Sequence, residues 1–348
     1  MTPLVRSRLG GAAPPGIKAD VDRRPVTLEE VARIAGVSRA TVSRVVNGVA
    51  TVDRELRQVV EKAISTTGYT PNRAARSLVT RRAGAIGLVL PDEGRTVHDP
   101  YFGRVVSGVL PVIRPLGVQL VLTTGDHREV VDDIRQHRLD GVILIHTHAT
   151  DPLPRQLIEA NLPVVLAARP VRPMSITYVD VDQAAGAALA ADHLISSGCR
   201  RLATITGPLE TPAGQDRLRG FLDTTTRHGL PEPLVVEGDF SREGGAEAAR
   251  HLTDAGLDGL FVASDLMATG ALPILRNAGL RVPEDLKVVG FDDSSPAVEC
   301  DPPLTTVRQP VEDMAAEMAR LLVDRVDRPD RPVSSVVFAP TLVLRESA

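Results

Sequence analysis

Two sets of side chains have types and spacings suited to chemistry. Between Ser38 and Asn47, Val42, Val45 and Val46 recur at i, i+3 and i+4 and claim the buried face of a helix. Arg39, Ala40, Ser43, Arg44 and Asn47 are left outside, a face of short polar groups and guanidinium. Such a face fits the major groove of double-stranded DNA, where arginine meets guanine O6 and N7 with two hydrogen bonds. Arg39, Ala40 and Arg44 are the expected base readers, and Thr41 and Ser43 suit phosphates. The second set stands just after short apolar runs: Arg169, Phe240, Ser264, Asp265 and Asp292. A carboxylate or guanidinium takes two neighbouring hydroxyls and an aromatic face covers the apolar side of a sugar ring, so these residues predict a polyol site.

Catalytic arrays are missing from the sequence. It has no glycine-rich dinucleotide or phosphate loop, no G-x-S-x-G elbow and no H-E-x-x-H pair. His146 and His148 alternate along one strand face with no further His or Cys at ligand spacing, so no metal site is expected. Asp292 and Asp293 are adjacent at a strand end and should point apart, which favours binding or structure over paired acid–base work. No catalytic residue, cofactor or metal is expected, and the chain reads as a binder.

The elements that must hold these groups can be read from periodicity. Three short helical patterns run from about residue 27 to residue 67. Thr27-Leu28-Glu29-Glu30 is a capping box in which the Thr27 hydroxyl accepts from the Glu30 amide. Gly36 can take positive φ at a sharp turn, Val37 fills the angle between helices, and Ser38 caps the second helix. Beyond residue 85, apolar runs at 86–90, 118–123, 142–145, 163–167, 176–181, 202–206, 234–238, 260–263 and 288–291 alternate with helical stretches such as 182–197 and 243–255. That alternation predicts an α/β core of two doubly wound parallel-sheet subdomains covered by helices on both faces. Ligands in such folds bind outside the carboxyl ends of strands, where the second set of residues lies.

Composition narrows the setting. A length of 348 residues suggests two domains with a smaller appendage. At 43% apolar and 24% charged residues, collagen-like, mucin-like and wholly disordered readings fall away. No stretch approaches the roughly 18 uninterrupted apolar residues of a membrane span, and Arg6 and Arg8 lead into Gly-Gly-Ala-Ala-Pro-Pro-Gly instead of a signal core. Cys199 and Cys300 make no disulfide framework, which fits the cytoplasm. Net charge is divided: residues 1–82 carry 15 Lys+Arg against 7 Asp+Glu, a net of +8, and residues 83–348 carry 25 against 37, a net of −12. A basic head on an acidic body points to nucleic-acid or membrane contact by one part of the chain; with no apolar span in the sequence, no membrane partner is expected.

Residues 26–47 read V-T-L-E-E-V-A-R-I-A-G-V-S-R-A-T-V-S-R-V-V-N, and residues 68–78 read G-Y-T-P-N-R-A-A-R-S-L. Together they closely resemble the DNA-binding head of the lactose-repressor/galactose-repressor family of bacterial transcription regulators. The likeness runs on through G-P-L at 207–209, R-L-R-G-F at 217–221, G-D-F at 238–240, S-D at 264–265, G-F-D-D at 290–293 and P-L-T-T-V-R-Q at 303–309, covering nearly all of residues 26–346.

That resemblance implies a helix-turn-helix head of the lambda-repressor type on a periplasmic-binding-protein-like core. It implies a flexible leader at 1–25, the DNA-binding domain at 26–70, a hinge helix and linker at 71–83, and the core at 84–348. Within the core, one subdomain is expected at about 84–181 and 311–337 and the other at about 182–310 and 338–348. Thr27, Ser38, Tyr69, Asn72, Arg73 and Arg76 join the DNA-facing set, and Leu78 matches a leucine wedged into the central minor-groove step. Arg217 and Asp292 match residues that hold effector, Phe240 an aromatic that stacks on it, and Ser264, Gln309, Tyr101 and Phe102 positions lining the cleft. Thr211 and Ala213 depart from the purine-responsive pattern, so a sugar or oligosaccharide is the expected effector. The implied partners are palindromic operator DNA and a second copy of the chain. Only Glu-Ser-Ala comes after Arg345, with no heptad tail, so a dimer is expected. A periplasmic carbohydrate binder would share the core but not the basic head, and an α/β enzyme would need the catalytic arrays that are missing. If Leu78 is the wedge, Leu78→Ala will weaken operator binding and reduce DNA bending in a gel-phasing assay while sugar titrations stay unchanged; undiminished bending defeats the assignment.

Overall fold

The computed structural model describes residues 26–46, 51–69, 82–90, 99–123, 127–145 and 147–348. The expected leader, Asn47, Asn72, Arg73, Arg76, Leu78 and His146 lie outside the described residues. The chain divides into a unit of residues 1–76 and a unit of residues 77–348.

The first unit holds helices α1 (Leu28–Ala35), α2 (Arg39–Val46) and α3 (Arg54–Thr67). Local chemistry sets their ends as the sequence predicts. The Thr27 hydroxyl accepts from the Glu30 amide at 3.3 Å, and the Ser38 hydroxyl accepts from the Thr41 amide at 3.1 Å. Gly36 closes α1 at φ 65°. Val31, Ala32, Val42, Val45, Val60, Ala63 and Tyr69 are buried together as one small core.

The second unit alternates strand and helix. It begins with β1 (Ala85–Val89), α4 (Pro100–Ile113), β2 (Gln119–Thr123), α5 (His127–Arg135), β3 (Val142–Leu144), α6 (Leu153–Glu159), β4 (Val164–Leu166) and β5 (Thr177–Val181). It continues with α7 (Gln183–Ser196), β6 (Leu202–Thr206), α8 (Pro212–Arg227), β7 (Leu234–Glu237), α9 (Arg242–Arg250), β8 (Gly259–Val262), α10 (Asp265–Asn277) and β9 (Lys287–Asp292). The last elements are α11 (Ser295–Glu299), β10 (Thr305–Arg308), α12 (Val311–Asp327), β11 (Ser335–Phe338) and β12 (Thr341–Val343).

These strands form two six-stranded sheets, ordered β11-β5-β4-β3-β1-β2 and β12-β10-β9-β8-β6-β7. All pairings are parallel except β10 with β12. The chain passes from one sheet to the other at 181–183, 308–311 and 338–341. Strand order reverses beside β1 in the first sheet and beside β6 in the second, which opens a crevice at the carboxyl ends of each. Strands β10, β11 and β12 are absent from the apolar runs of the sequence. In β10 the buried residues include Thr305 and Thr306, whose polar groups are met by Ser347, Ala348 and Asp265, so burial there carries no hydrophobic signature.

Each sheet is packed on both faces. In the second, Phe221, Phe261 and Phe291 are fully buried; Phe221 stacks on Phe261 at 5.4 Å and Phe261 meets Phe291 edge-on at 6.4 Å. In the first, α4 lies against α12 with almost no gap. A Cβ on Gly108 would sit 2.2 Å from the Glu312 carbonyl oxygen and 2.7 Å from the Ala315 Cβ. Among the described residues, no helix is long and apolar enough to cross a membrane. Gly108→Ala should force α4 and α12 apart and destabilise the core by about 1–3 kcal/mol, read as a lowered urea midpoint at unchanged slope; an unmoved midpoint contradicts the close approach.

Candidate functional sites in the cleft and on the second helix

A cleft of about 700 Å³, counting its open mouth, lies where the carboxyl ends of both sheets converge. The first sheet's side supplies Asp99, Tyr101, Thr147, Ala167, Ala168 and Met314, and the second sheet's side supplies Arg217, Phe240, Ser264, Asp292 and Gln309. That size and this mix of apolar wall and few polar groups suit a small organic ligand.

Arg217, on the second turn of α8, is the centre of the polar wall. Its side chain is 5% exposed. The guanidinium lies 3.6 Å from the centroid of Phe291 and 5.6 Å from that of Phe240. Nε donates to Gln183 Oε1 at 2.8 Å, Nη1 donates to the Ala263 carbonyl, and Nη1 stands 3.6 Å from Asp292 Oδ1. Burial drags the guanidinium pKa down, and Asp292 is the largest influence the other way.

Asp292 ends β9 in a backbone shape that side chains rarely adopt, with φ 116°, and Asp293 comes next at φ 51°. The two carboxylates diverge as the sequence suggests. Asp293 turns to Arg308 Nε at 2.6 Å and Arg345 Nη2 at 2.5 Å, while Asp292 lines the cleft and accepts from the Gln309 amide at 2.6 Å. Burial raises the Asp292 carboxyl far above its ordinary range, to about 8, against the pull of Arg217. Phe240 also has positive φ, 64°, and its ring occupies space that only glycine leaves: a Cβ on Gly207 would lie 2.0 Å from Cζ.

Of the residues expected in the cleft, Tyr101, Arg217, Phe240, Ser264, Asp292 and Gln309 line it. Three do not. Phe102 is one position along α4 from Tyr101, and the helical turn sends its ring into the core of the first sheet. Arg169 donates to Asp216 at 2.5 and 2.9 Å instead of facing the cavity. Asp265 is fully buried behind Ser264, accepting from the Ser294 amide at 2.8 Å and the Thr306 hydroxyl at 2.5 Å; burial pushes its carboxyl up to about 6. The strand-end rule also had a signal for two residues it did not name, since Thr147 comes after β3 and Gln183 after β5. Asp99, the N-cap of α4, carries no such signal. His148 bonds Thr150 at 3.0 Å, and among the described residues no group of His, Cys, Asp and Glu could hold a metal.

On α2, Arg39, Ala40 and Arg44 are exposed, with Thr41 and Ser43 half-buried beside them. Arg39 pairs with Glu29 at 2.8 Å on the open surface. Thr27 and Ser38 spend one lone pair each on caps. Tyr69 is only 9% exposed and packs in the head's core, because Gly68 turns the chain back after α3 at φ 66°; its ring is a packing group, not a surface reader.

A family model described as bacterial regulatory proteins, lacI family, matches residues 27–72, and one for a periplasmic binding protein-like domain matches residues 191–348. Over 336 residues the chain is 43% identical to the HTH-type transcriptional regulator CelR of Thermobifida fusca, covering 93% of this chain and 99% of that one. It is 34% identical over 329 residues to the ribose operon repressor of Halalkalibacterium halodurans, covering 92% and 96%. Among solved structures, a CelR–cellobiose complex superposes with a TM-score of 0.74 at 40% identity, covering 93% of this chain and all of the other. A lac repressor dimer bound to operator and the anti-inducer ONPF gives 0.79 at 27% identity, covering 93% and 99%.

The Asp292 electrostatics have a measurable consequence in the protein without ligand. A carboxyl whose folded pKa is raised stabilises the fold fully below its unfolded pKa, near 3.8, and loses that contribution as pH climbs through about 8. Thermal midpoints of Asp292→Asn and the unaltered chain should therefore lie nearest at about pH 4 and draw steadily apart up to about pH 8, with the variant more stable. Parallel curves count against the burial of this charge.

Proposed function

This chain belongs to the lacI family of bacterial regulatory proteins, and from that premise we propose that it represses transcription from a palindromic operator, its affinity set by a neutral oligosaccharide in the cleft. It is a sequence-specific DNA-binding transcriptional regulator, and the α/β core that follows the helix-turn-helix head in the chain is the part that senses a small molecule. The observation that carries the sugar reading is the buried Arg217–Asp292 pair with Gln309 and the Phe240 ring beside it. Asp292 and Gln309 offer acceptors and donors to vicinal hydroxyls, and the Phe240 ring suits the apolar face of a pyranose.

Charge defines the class further. Arg217 is the only cation among the described lining residues, and it is already committed to Gln183, Ala263 and Asp292. A phosphate or carboxylate on the ligand would meet Asp99 and Asp292 without a free counter-charge, so sugar phosphates and uronates are disfavoured. The similarity to a regulator whose structure is solved as a cellobiose complex supports a β-linked glucose disaccharide as the first effector to test.

On the DNA side, Arg39, Ala40 and Arg44 read base edges, and Ser38, Thr41, Ser43 and Thr27 hold phosphates. A palindromic site matches a two-fold protein, so the working form is a homodimer, as in the lac repressor–operator structure. The protein acts in the cytoplasm, where its DNA is. Sugar and operator are then linked by a coupling free energy of about 1–3 kcal/mol, in either direction.

Thermal shift and calorimetry with cellobiose, glucose 6-phosphate and glucuronate test the reading. Cellobiose at one hundred times its Kd should add about 2.7 kcal/mol of stability, the two anions should add none, and Asp292→Ala should abolish the cellobiose heat while keeping operator binding. An unaltered isotherm in that variant defeats the cleft assignment, and equal operator affinity with and without a bound sugar defeats the coupling.

A further inference from the structure

Arg104 lies one turn into α4, the helix whose first turn brings Tyr101 to the cleft and whose inner face, Val105 and Val109, is buried in the first sheet's core. Its guanidinium serves three segments at once. Nε and Nη2 donate to both carboxylate oxygens of Glu312, at 2.7 and 2.9 Å, in a forked pair. Nη1 donates to the main-chain carbonyl of Asp292 at 2.9 Å, and Nη2 donates also to the main-chain carbonyl of Gln309 at 3.2 Å. Asp292 and Gln309 are the two residues whose side chains meet each other on the cleft wall.

The arrangement is specific to this geometry. Asp292 is held at φ 116°, so the orientation of the peptide after it needs outside support. Gln309 sits in the crossover from β10 to α12, and Glu312 is in the first turn of α12. Arg104 reaches all three because Gly108, one turn further along α4, lets the two helices touch. The pairing with Arg104 holds the Glu312 carboxyl below its ordinary range, consistent with a standing ion pair.

We propose that Arg104 is a positioning residue: from the first sheet's helix layer it fixes the backbone of Asp292 and Gln309, and thereby joins effector contact on the second sheet's side to movement of α4. The inference rests on the sugar reading of the cleft for its binding readout, but not for its backbone readout. Lysine in this place keeps a charge for Glu312 but has one nitrogen, which cannot satisfy both carboxylate oxygens and two carbonyls together.

The test uses the full chain with Arg104→Lys and Arg104→Met. Hydrogen exchange by mass spectrometry, without ligand, should show peptides spanning 290–294 and 307–311 opening about tenfold faster in both variants, with little change elsewhere. Cellobiose should bind each about tenfold more weakly by calorimetry, while Arg104→Lys keeps the unaltered chain's thermal midpoint because its ion pair survives. A cellobiose isotherm unmoved in Arg104→Lys overturns the proposal, since a mere ion-pair role would be rescued by lysine. Should the unaltered chain give no heat with cellobiose, the sugar reading fails by itself, and exchange in Arg104→Lys decides: unaltered rates at both segments overturn the positioning role.

Discussion

The constraint on which the rest of the core depends is the burial of the Arg217 guanidinium. Removing a cation from water costs several kcal/mol even after relaxation, and only close partners offset it. Those partners come from distant parts of the chain: Gln183 at the start of α7, the Ala263 carbonyl at the end of β8, Asp292 at the end of β9 and the Phe291 ring. All of them must converge before Arg217 can be buried, so the cleft is an outcome of folding and not an ornament on a finished scaffold. The compensation is also incomplete. Asp292 accepts its short hydrogen bond from Gln309 and stands 3.6 Å from Arg217, too far for a hydrogen bond. An electrostatic attraction left partly unspent inside a cavity is what a hydroxyl-bearing ligand can use.

The same chain of contacts extends outward in both directions. Gln183, which accepts from Arg217, donates to Asp180 at 2.9 Å, and Asp180 accepts from the Arg169 amide at 2.8 Å. At the other end Gln309 passes through its carbonyl to Arg104 and Glu312. A polar network that begins and ends on the first sheet's elements thus runs through the cleft-lining groups of the second sheet's side. Two positive-φ residues in succession, Asp292 and Asp293, cost of order 1–3 kcal/mol each. Charge-assisted bonds from Arg104, Arg308 and Arg345 offset that strain.

What the sequence makes legible depends on the range of the interaction. Caps and turns are bonds between residues three or four apart, and Thr27, Gly36 and Ser38 stand as their residue types predict. Strand ends are almost as local, so Ser264, Phe240 and Asp292 are found from the positions just beyond an apolar run. The rule says where a residue stands, not which way its side chain goes. Asp265 turns from the cavity to Thr306, 41 residues away, and Arg169 to Asp216, 47 away, and neither partner is visible from local pattern. Strand β10 escapes for a related reason, its burial being satisfied by hydroxyls whose partners lie near the carboxyl terminus.

The two sites are also divided by how solvent acts on them. Arg39 and Glu29 pair at 2.8 Å with most of both side chains in water, so salt screens the pair and its net contribution is small. Parting Arg39 from Glu29 therefore costs the head little, and a protein that binds DNA gains from the counterions the DNA releases. Arg217 and Asp292 sit in the opposite regime, buried where added salt barely reaches them. Ionic strength should thus govern the affinity of the head for DNA while leaving the intrinsic affinity of the cleft almost untouched. The polar network of the core is thus insulated from bulk ions, while the exposed pair on the head exchanges partners at little cost.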